Sequence, residues 1–307
     1  MVRSKHRAIV RPSFISVLLI SEAKLDRKTN RFPPYKDLYV YLVDGPVPSC
    51  LEAELGAAFI GNWVEGRQSF LFFSSPSWDK VKRLLGDMPS LVVMDEFRFT
   101  YDEWQGGGLV PTRIGPFLIR PPWLSVDPCV DEVHIVLDPG VVFGNGLHPT
   151  TRDCLLALSH VFERGPGADR VIDFGTGTGI LALASAKLGA MKVTAVDLNP
   201  LCIRTALRNV SLNGLEGRIR VQEGRAEDHL GEETDLVVAN LHFGLIETLL
   251  RMGGFRSVSG VIISGLLRTQ WREVRHDLMM KGYQIEREWD HEMTWFTILA
   301  LGQGATF

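Results

Sequence analysis

Apolar residues recur along this chain with two different periods, and the pattern changes after the first hundred residues. Residues 38–43 (LYVYLV), 59–64 (FIGNWV), 69–74 (SFLFFS) and 90–99 (SLVVMDEFRF) are short runs rich in β-branched and aromatic residues, which predicts strands. The runs at 59–64 and 69–74 flank Glu65-Gly66 and predict a hairpin. Residues 49–57 predict a short helix capped by Ser49. Residues 77–87 place apolar side chains at 78, 81, 84 and 85, a helical spacing, with Ser77 as the N-cap. The resulting order βαββαβ is that of a split, ferredoxin-like α+β unit. An arm containing Thr29-Asn30 and Pro33-Pro34 precedes it.

Residues 104–123 (WQGGGLVPTRIGPFLIRPPW) hold three consecutive glycines and five further glycines or prolines, a poor composition for a helix or a long strand. Beyond about residue 129 strands and helices alternate. Strands are predicted at 170–174, 192–197, 218–224, 235–240 and 260–266, and helices at 178–188, 200–213, 243–252 and 268–281. Residues 283–290 and 293–301 close the chain as an antiparallel hairpin at the sheet edge. Apolar strands such as VTAV and LVVA fit a parallel sheet covered on both faces. The expected fold is α/β, a doubly wound seven-stranded sheet joined to a smaller N-terminal α+β unit. The expected division is 1–100, a linker at 101–128, and 129–307, with Gly106–Gly108 as a hinge across which the two units move.

A length of 307 residues suits about two domains. The net charge of -3 gives no global basic field, so direct nucleic-acid binding is not expected. Cys50, Cys129, Cys154 and Cys202 are scattered, which suggests neither a zinc site nor a disulfide framework, and no metal is expected. The longest uninterrupted apolar run near the N-terminus is Val17-Leu18-Leu19-Ile20, too short for a signal peptide or a membrane helix. A cytoplasmic protein without membrane contact is expected.

Two glycine-rich stretches carry the candidate chemistry: LDPGVVFGNGLHPTT (137–151) and VIDFGTGTGI (171–180). The second lies between a strand and a helix, where backbone N–H groups can meet a ligand. Its spacing is GxGxG, and Ile180 stands where the dinucleotide fingerprint needs its third glycine. Asp173 precedes the glycines, where a carboxylate opposes a pyrophosphate but suits an ammonium. Asp197, ending the next strand, suits ribose hydroxyls. Together these fit S-adenosylmethionine better than a dinucleotide. A merely structural glycine turn and a nucleotide-dependent oxidoreductase are the alternatives. Asn199-Pro200 reads as a helix start, Asn199 capping and proline at the first position.

The stretch 171–200 (VIDFGTGTGILALASAKLGAMKVTAVDLNP) resembles the class I S-adenosylmethionine-dependent methyltransferases. LDPG…FG.G.HPTT, VVANL (237–241), DEWQGGGLVPTRIGPFLIRPPW (102–123), SGLLRTQWREV (264–274) and Trp295 are together similar to the PrmA family, the methyltransferases of large-subunit ribosomal protein eleven. The resemblance spans about residues 95–302 and is most specific in 137–240. It implies a class I methyltransferase sheet, S-adenosylmethionine as cofactor, and an N-terminal unit that grips a ribosomal protein. Thr151, the second threonine of HPTT, becomes a cofactor contact. Gly175 lies against the amino-acid moiety with Gly177 next to it, and Asp197 takes the ribose hydroxyls. Ala226, in EGRAED between Glu223 and Asp228, edges the adenine. Asn240 sits beside the methyl group as the catalytic residue. The first loop, with Gly140, Gly144 and Gly146, becomes a mobile lid.

The chain departs from the family's usual GTGTHPTT, since Asn145 and Leu147 replace threonines. Leu241-His242-Phe243-Gly244 is bulkier than usual, and Phe243 is placed at the substrate entrance, with His242 a lesser candidate for substrate contact. His148 is expected to pin the lid, and Trp104, Trp123, Trp271 and Trp295 to pack. The implied reaction is methylation of lysine ε-amines and an α-amine. A free lysine titrates near ~10.4, so a desolvated pocket must supply the neutral amine, and no dedicated base is required. Two rivals remain: a methyltransferase of this fold with another protein or a small molecule as substrate, and a non-catalytic cofactor-binding module.

Overall fold

The structure is a computed structural model and describes residues 32–305, except 87, 89, 128, 164, 166, 254, 256 and 257. Thr29-Asn30 of the expected arm lies outside the described residues.

Strands β1 (Asp37–Asp44), β2 (Phe59–Glu65), β3 (Gln68–Phe73) and β4 (Val92–Thr100) form one sheet in the order β2-β3-β1-β4, with every neighbour antiparallel. This is the strand order of the split βαββαβ unit. Its two connections are a 3-10 helix (Ser49–Leu55) and α1 (Trp78–Gly86). The alternation along β1 divides the sheet's two faces. Tyr41 and Val43 pack with Leu55, Val81 and Leu85 on the helix-covered face. Leu38 and Val40 face the other way and pack with Phe72, Tyr101, Val141 and Leu201.

Neither predicted serine caps its helix through its side chain. Ser49 is already inside the 3-10 helix, and Pro48 holds the cap position without a side-chain bond. Ser77 stands at the start of α1 as expected, its carbonyl accepting from Val81 N at 3.0 Å, but its hydroxyl donates to the Ser75 carbonyl in the preceding turn.

The stretch after β4 is more ordered than its composition suggests. Helix α2 (Tyr101–Gln105) starts from a Thr100–Glu103 capping box. Gly106 ends it in the left-handed region at φ 79°, so the glycine run begins as a helix stop. Strands β5 (Thr112–Ile114), β6 (Phe117–Arg120) and β7 (Val133–Val136) then build a small sheet that sequence reading missed.

After α3 (Pro149–Glu163) comes the large sheet, from β8 (Arg170–Phe174), β9 (Lys192–Asp197), β10 (Ile219–Glu223), β11 (Leu236–Asn240), β12 (Gly260–Leu266), β13 (Gln284–His291) and β14 (Trp295–Leu301). Its order is β10-β9-β8-β11-β12-β14-β13, parallel except for β14, which is antiparallel to both neighbours. Helices α4 (Ile180–Leu188), α5 (Pro200–Leu212), α6 (Phe243–Arg251) and α7 (Arg268–Met280) cover it. One core lies under α3 and α4, around Leu155, Leu158 and Leu183. The other lies under α6 and α7, around Ile246, Leu249, Val274 and Leu278. The Asn199 cap forms as predicted, its side chain accepting from Leu201 N at 3.0 Å. Among the described residues no helix is long and apolar enough to cross a membrane.

Candidate functional site

The strand order reverses between β8 and β11, and the carboxyl ends of such strands form the binding crevice of doubly wound sheets. Phe174, Asp197 and Asn240 end β8, β9 and β11, so the topology brings Gly175, Asp197 and Asn240 to one edge.

Every backbone N–H from residue 175 to 180 is already satisfied inside the protein. Gly175 and Thr176 donate to the Val196 carbonyl at 2.9 and 3.0 Å, and Gly177 donates to Asp197 Oδ2 at 3.0 Å. Thr178 donates to the Phe143 carbonyl at 3.2 Å, Gly179 to the Thr176 carbonyl at 2.8 Å, and Ile180 to Thr178 Oγ1 at 3.3 Å. A pyrophosphate cradle needs those groups free. Asp197 also receives the Asn199 N–H at 2.9 Å, yet stays only half-buried, leaving lone pairs for hydroxyls. Burial raises its pKa, and the Asn199 and Gly177 amides oppose the rise.

The two glycine loops touch each other. A Cβ on Gly177 would stand 2.6 Å from the Phe143 carbonyl oxygen, and one on Gly144 would stand 2.9 Å from Thr178 Oγ1. Both residues also have positive φ, so glycine is required twice over. The Thr178 hydroxyl donates to the Gly144 carbonyl at 2.8 Å. The first loop is therefore docked on the second by its backbone.

Asn209 of α5, fully buried, fastens both loops from below. It accepts from Asp138 N and donates to the carbonyls of Asp138 and Thr178. Arg208 pairs with the buried Asp138 carboxylate at 2.9 Å. From above, Trp104 Nε1 donates to the Val141 carbonyl at 3.1 Å and Gln105 Nε2 to the Gly140 carbonyl at 2.6 Å.

Asn240 and Thr151 meet. The Asn240 amide nitrogen lies 3.5 Å from Thr151 Oγ1, in the first turn of α3. His148 starts that helix. Its Nδ1 accepts from Thr150 N at 3.3 Å and lies 2.8 Å from Thr150 Oγ1. Its ring stands edge-on between Phe143 and Trp295, with centroids 5.2 Å away on each side. Burial, and then the neighbouring His291, hold its pKa below the usual imidazole value. With Nδ1 used as an acceptor the neutral ring carries its proton on Nε2, so His148 serves here as a cap and a spacer.

Ala226 is buried, begins a short 3-10 helix after β10, and packs with Phe174 and Val196 below the loop. Asp173 is not on the crevice surface. It is 1% exposed, accepts the Thr176 hydroxyl at 2.5 Å, and burial pushes its pKa up to about 7. His242 is exposed and caps α6 through Nδ1, which accepts from Leu245 N at 3.3 Å. Phe243 packs at the edge of the α6–α7 core, and Trp271 stacks on Phe296 at 5.0 Å. Sequence reading missed Phe143 and Asn209. A phenylalanine amid glycines and an asparagine inside an amphipathic helix carry no local signal of these contacts.

The sequence pattern of one family, described as Ribosomal protein L11 methyltransferase (PrmA), matches residues 101–301. The chain belongs to this family. A PrmA relative from Anoxybacillus flavithermus, named ribosomal protein L11 methyltransferase, is 38% identical over 200 residues, 63% of this chain and 62% of that protein. One of the same name from Geobacillus kaustophilus is 38% identical over 191 residues, 60% of this chain and 59% of that protein. The chain thus spans about three fifths of the length of the curated relatives it matches. A solved structure of a ribosomal protein L11 methylase from Lactobacillus delbrueckii subsp. bulgaricus aligns with a TM-score of 0.54 at 30% identity, covering 61% of this chain and 94% of that one. The four-stranded sheet at 37–100 precedes the residues matched by the family pattern.

Proposed function

We propose that this chain is an S-adenosylmethionine-dependent protein methyltransferase that modifies lysine ε-amines, and an α-amine, of large-subunit ribosomal protein L11. The observation that carries this reading is the glycine loop whose N–H groups are all spent internally, beside Asp197 and Asn240 at the same sheet edge. That edge suits a nucleoside with an amino-acid tail, and the spent amides of 175–180 make no cradle for a pyrophosphate.

Asp197 would hold the ribose hydroxyls, Gly175 and Gly177 the amino-acid side, Ala226 the adenine edge, and Thr151 the upper wall. The bound cofactor supplies an electrophilic methyl group. The protein's share is positioning and exclusion of water. Asn240, steadied by Thr151, orients the incoming amine. The rings of Phe143 and Trp295 flank His148 beside the entrance and lower the local polarity, which favours the neutral amine. His148 does not take the proton, since its Nδ1 is engaged at the helix start.

In this reading residues 1–100 present the protein substrate, 101–128 connect, 129–307 bind the cofactor, and the enzyme works in the cytoplasm. A second reading keeps the chemistry and changes the acceptor to another protein or a small molecule. The bulky Leu241-His242-Phe243 run and the position of residues 1–100 before the family match favour it. Methyl-labelled S-adenosylmethionine, mixed with the purified protein and ribosomal proteins of its host, separates the two. One labelled band with methyl groups on lysine supports the first. Bound cofactor with no labelled ribosomal protein supports the second.

A further inference from the structure

We propose that Gln105 and Asn145 are a pair of positioning residues that set the 137–151 loop over the cofactor site. The inference rests on the cofactor reading above. Gln105 is the last residue of α2 and is buried. Its side chain reaches two points of the loop at once. Nε2 donates to the Gly140 carbonyl at 2.6 Å, and Oε1 accepts from Asn145 Nδ2 at 3.1 Å. The same Asn145 nitrogen donates to the Gln105 carbonyl at 3.0 Å, and Asn145 Oδ1 accepts from Leu147 N at 2.9 Å.

The arc between these two fastenings holds Phe143 and Gly144, whose carbonyls take the Thr178 amide and hydroxyl. A displacement of Gln105 therefore pulls on the contact between the two glycine loops. Helix α2 is itself fixed to the end of β4, because Thr100 is both the last residue of that strand and the helix cap. The path from the four-stranded sheet to the cofactor loop is thus Thr100, α2, Gln105, Asn145. Asn145 is one of the two places where this chain leaves its family's usual GTGTHPTT.

The test uses Gln105→Ala, Asn145→Ala and the double variant of the full chain, with S-adenosylhomocysteine as the probe in calorimetric titration. Each single change is expected to weaken the Kd about tenfold by loosening a preorganised loop. The double change is expected to cost no more than the worse single, because both break one device. In turnover assays KM for S-adenosylmethionine rises while kcat stays within about threefold. Arg113→Ala, which removes an exposed ion pair with Glu132, is the control and leaves Kd unchanged. Unchanged Kd in both singles, or fully additive losses in the double, overturns the proposal. Hydrogen exchange of the Gly146 and Leu147 amides without ligand gives a second decision. Faster exchange in both variants supports the fastening, and unchanged exchange overturns it even if the wild type binds no S-adenosylhomocysteine. That last result alone would defeat the cofactor reading.

Discussion

Asn209 pairs with the backbone of Asp138 in both directions, accepting from its N–H at 2.8 Å and donating to its carbonyl at 3.0 Å. One turn later Asn213 repeats the pairing with Val136, at 3.0 and 2.7 Å. Two side-chain amides, one on α5 and one at its C-cap, thus stand in for a neighbouring strand beside residues 136–138. Asn209 adds a bond to the Thr178 carbonyl at 2.8 Å and so joins the two glycine loops. Asn209→Leu should leave three buried backbone groups unpaired and cost about 2–4 kcal/mol in urea unfolding. Asn213→Ala, at a half-buried site, should cost less. A loss below about 1 kcal/mol for Asn209→Leu would show that the loops do not depend on this residue.

The close approach at Gly177 makes a second prediction. Its φ is 54°, and a Cβ would press on the Phe143 carbonyl, a backbone atom that cannot swing away. Gly177→Ala should lower stability by about 1–3 kcal/mol and push the first loop off the second. Gly108→Ala is the comparison, since its nearest neighbour would be 3.8 Å away and its φ is ordinary. Denaturant titration of both variants checks this, and equal effects would mean the approach is soft.

What the sequence disclosed and what it hid follow physical lines. The strands of the large sheet and helices α4 to α7 were legible because apolar runs stop at glycine, aspartate or asparagine. Asp197 and Asn240 were legible for the same reason, since each falls at a strand end. Helix α3 was not. It is buried on most of its circumference, through Thr150, Thr151, Cys154, Leu155, Leu158 and Val161, so it shows no polar stripe, and its cap is a histidine. Strands β5 and β7, at 3 and 4 residues, are too short for a period to register. Asn209 depends on a partner 71 residues away, which no local window contains.

Asp173 should make stability depend on pH. Its folded pKa is raised by burial to about 7, against an ordinary 3.8. Below the ordinary value both states are protonated and nothing is lost. As the pH rises from about 4 to 7 the unfolded chain releases this proton while the folded one keeps it, so stability falls, by up to about 4 kcal/mol above pH 7. Asp173→Asn keeps an oxygen for the Thr176 hydroxyl and removes the charge. Its melting temperature should exceed that of the wild type by several degrees at pH 8 and match it near pH 4. A constant difference across that range would mean that Asp173 is not the titrating group.

In the proposed mechanism the transfer depends on Asn240. Its amide nitrogen is 3.5 Å from Thr151 Oγ1, long enough that the amide is steadied without being fully engaged, which leaves it able to meet an incoming amine. Asn240→Ala should therefore lower kcat by about a hundredfold while the Kd for S-adenosylhomocysteine changes less than about threefold, because orientation of the amine matters only during transfer. Thr151→Val should do less to kcat and more to cofactor affinity, since it removes the hydroxyl that the proposed site turns to the cofactor and that steadies Asn240. Single-turnover rates at saturating cofactor separate the two. If Asn240→Ala keeps near-normal turnover, the amine is oriented by backbone carbonyls at the end of β11, and Asn240 serves only to hold Thr151.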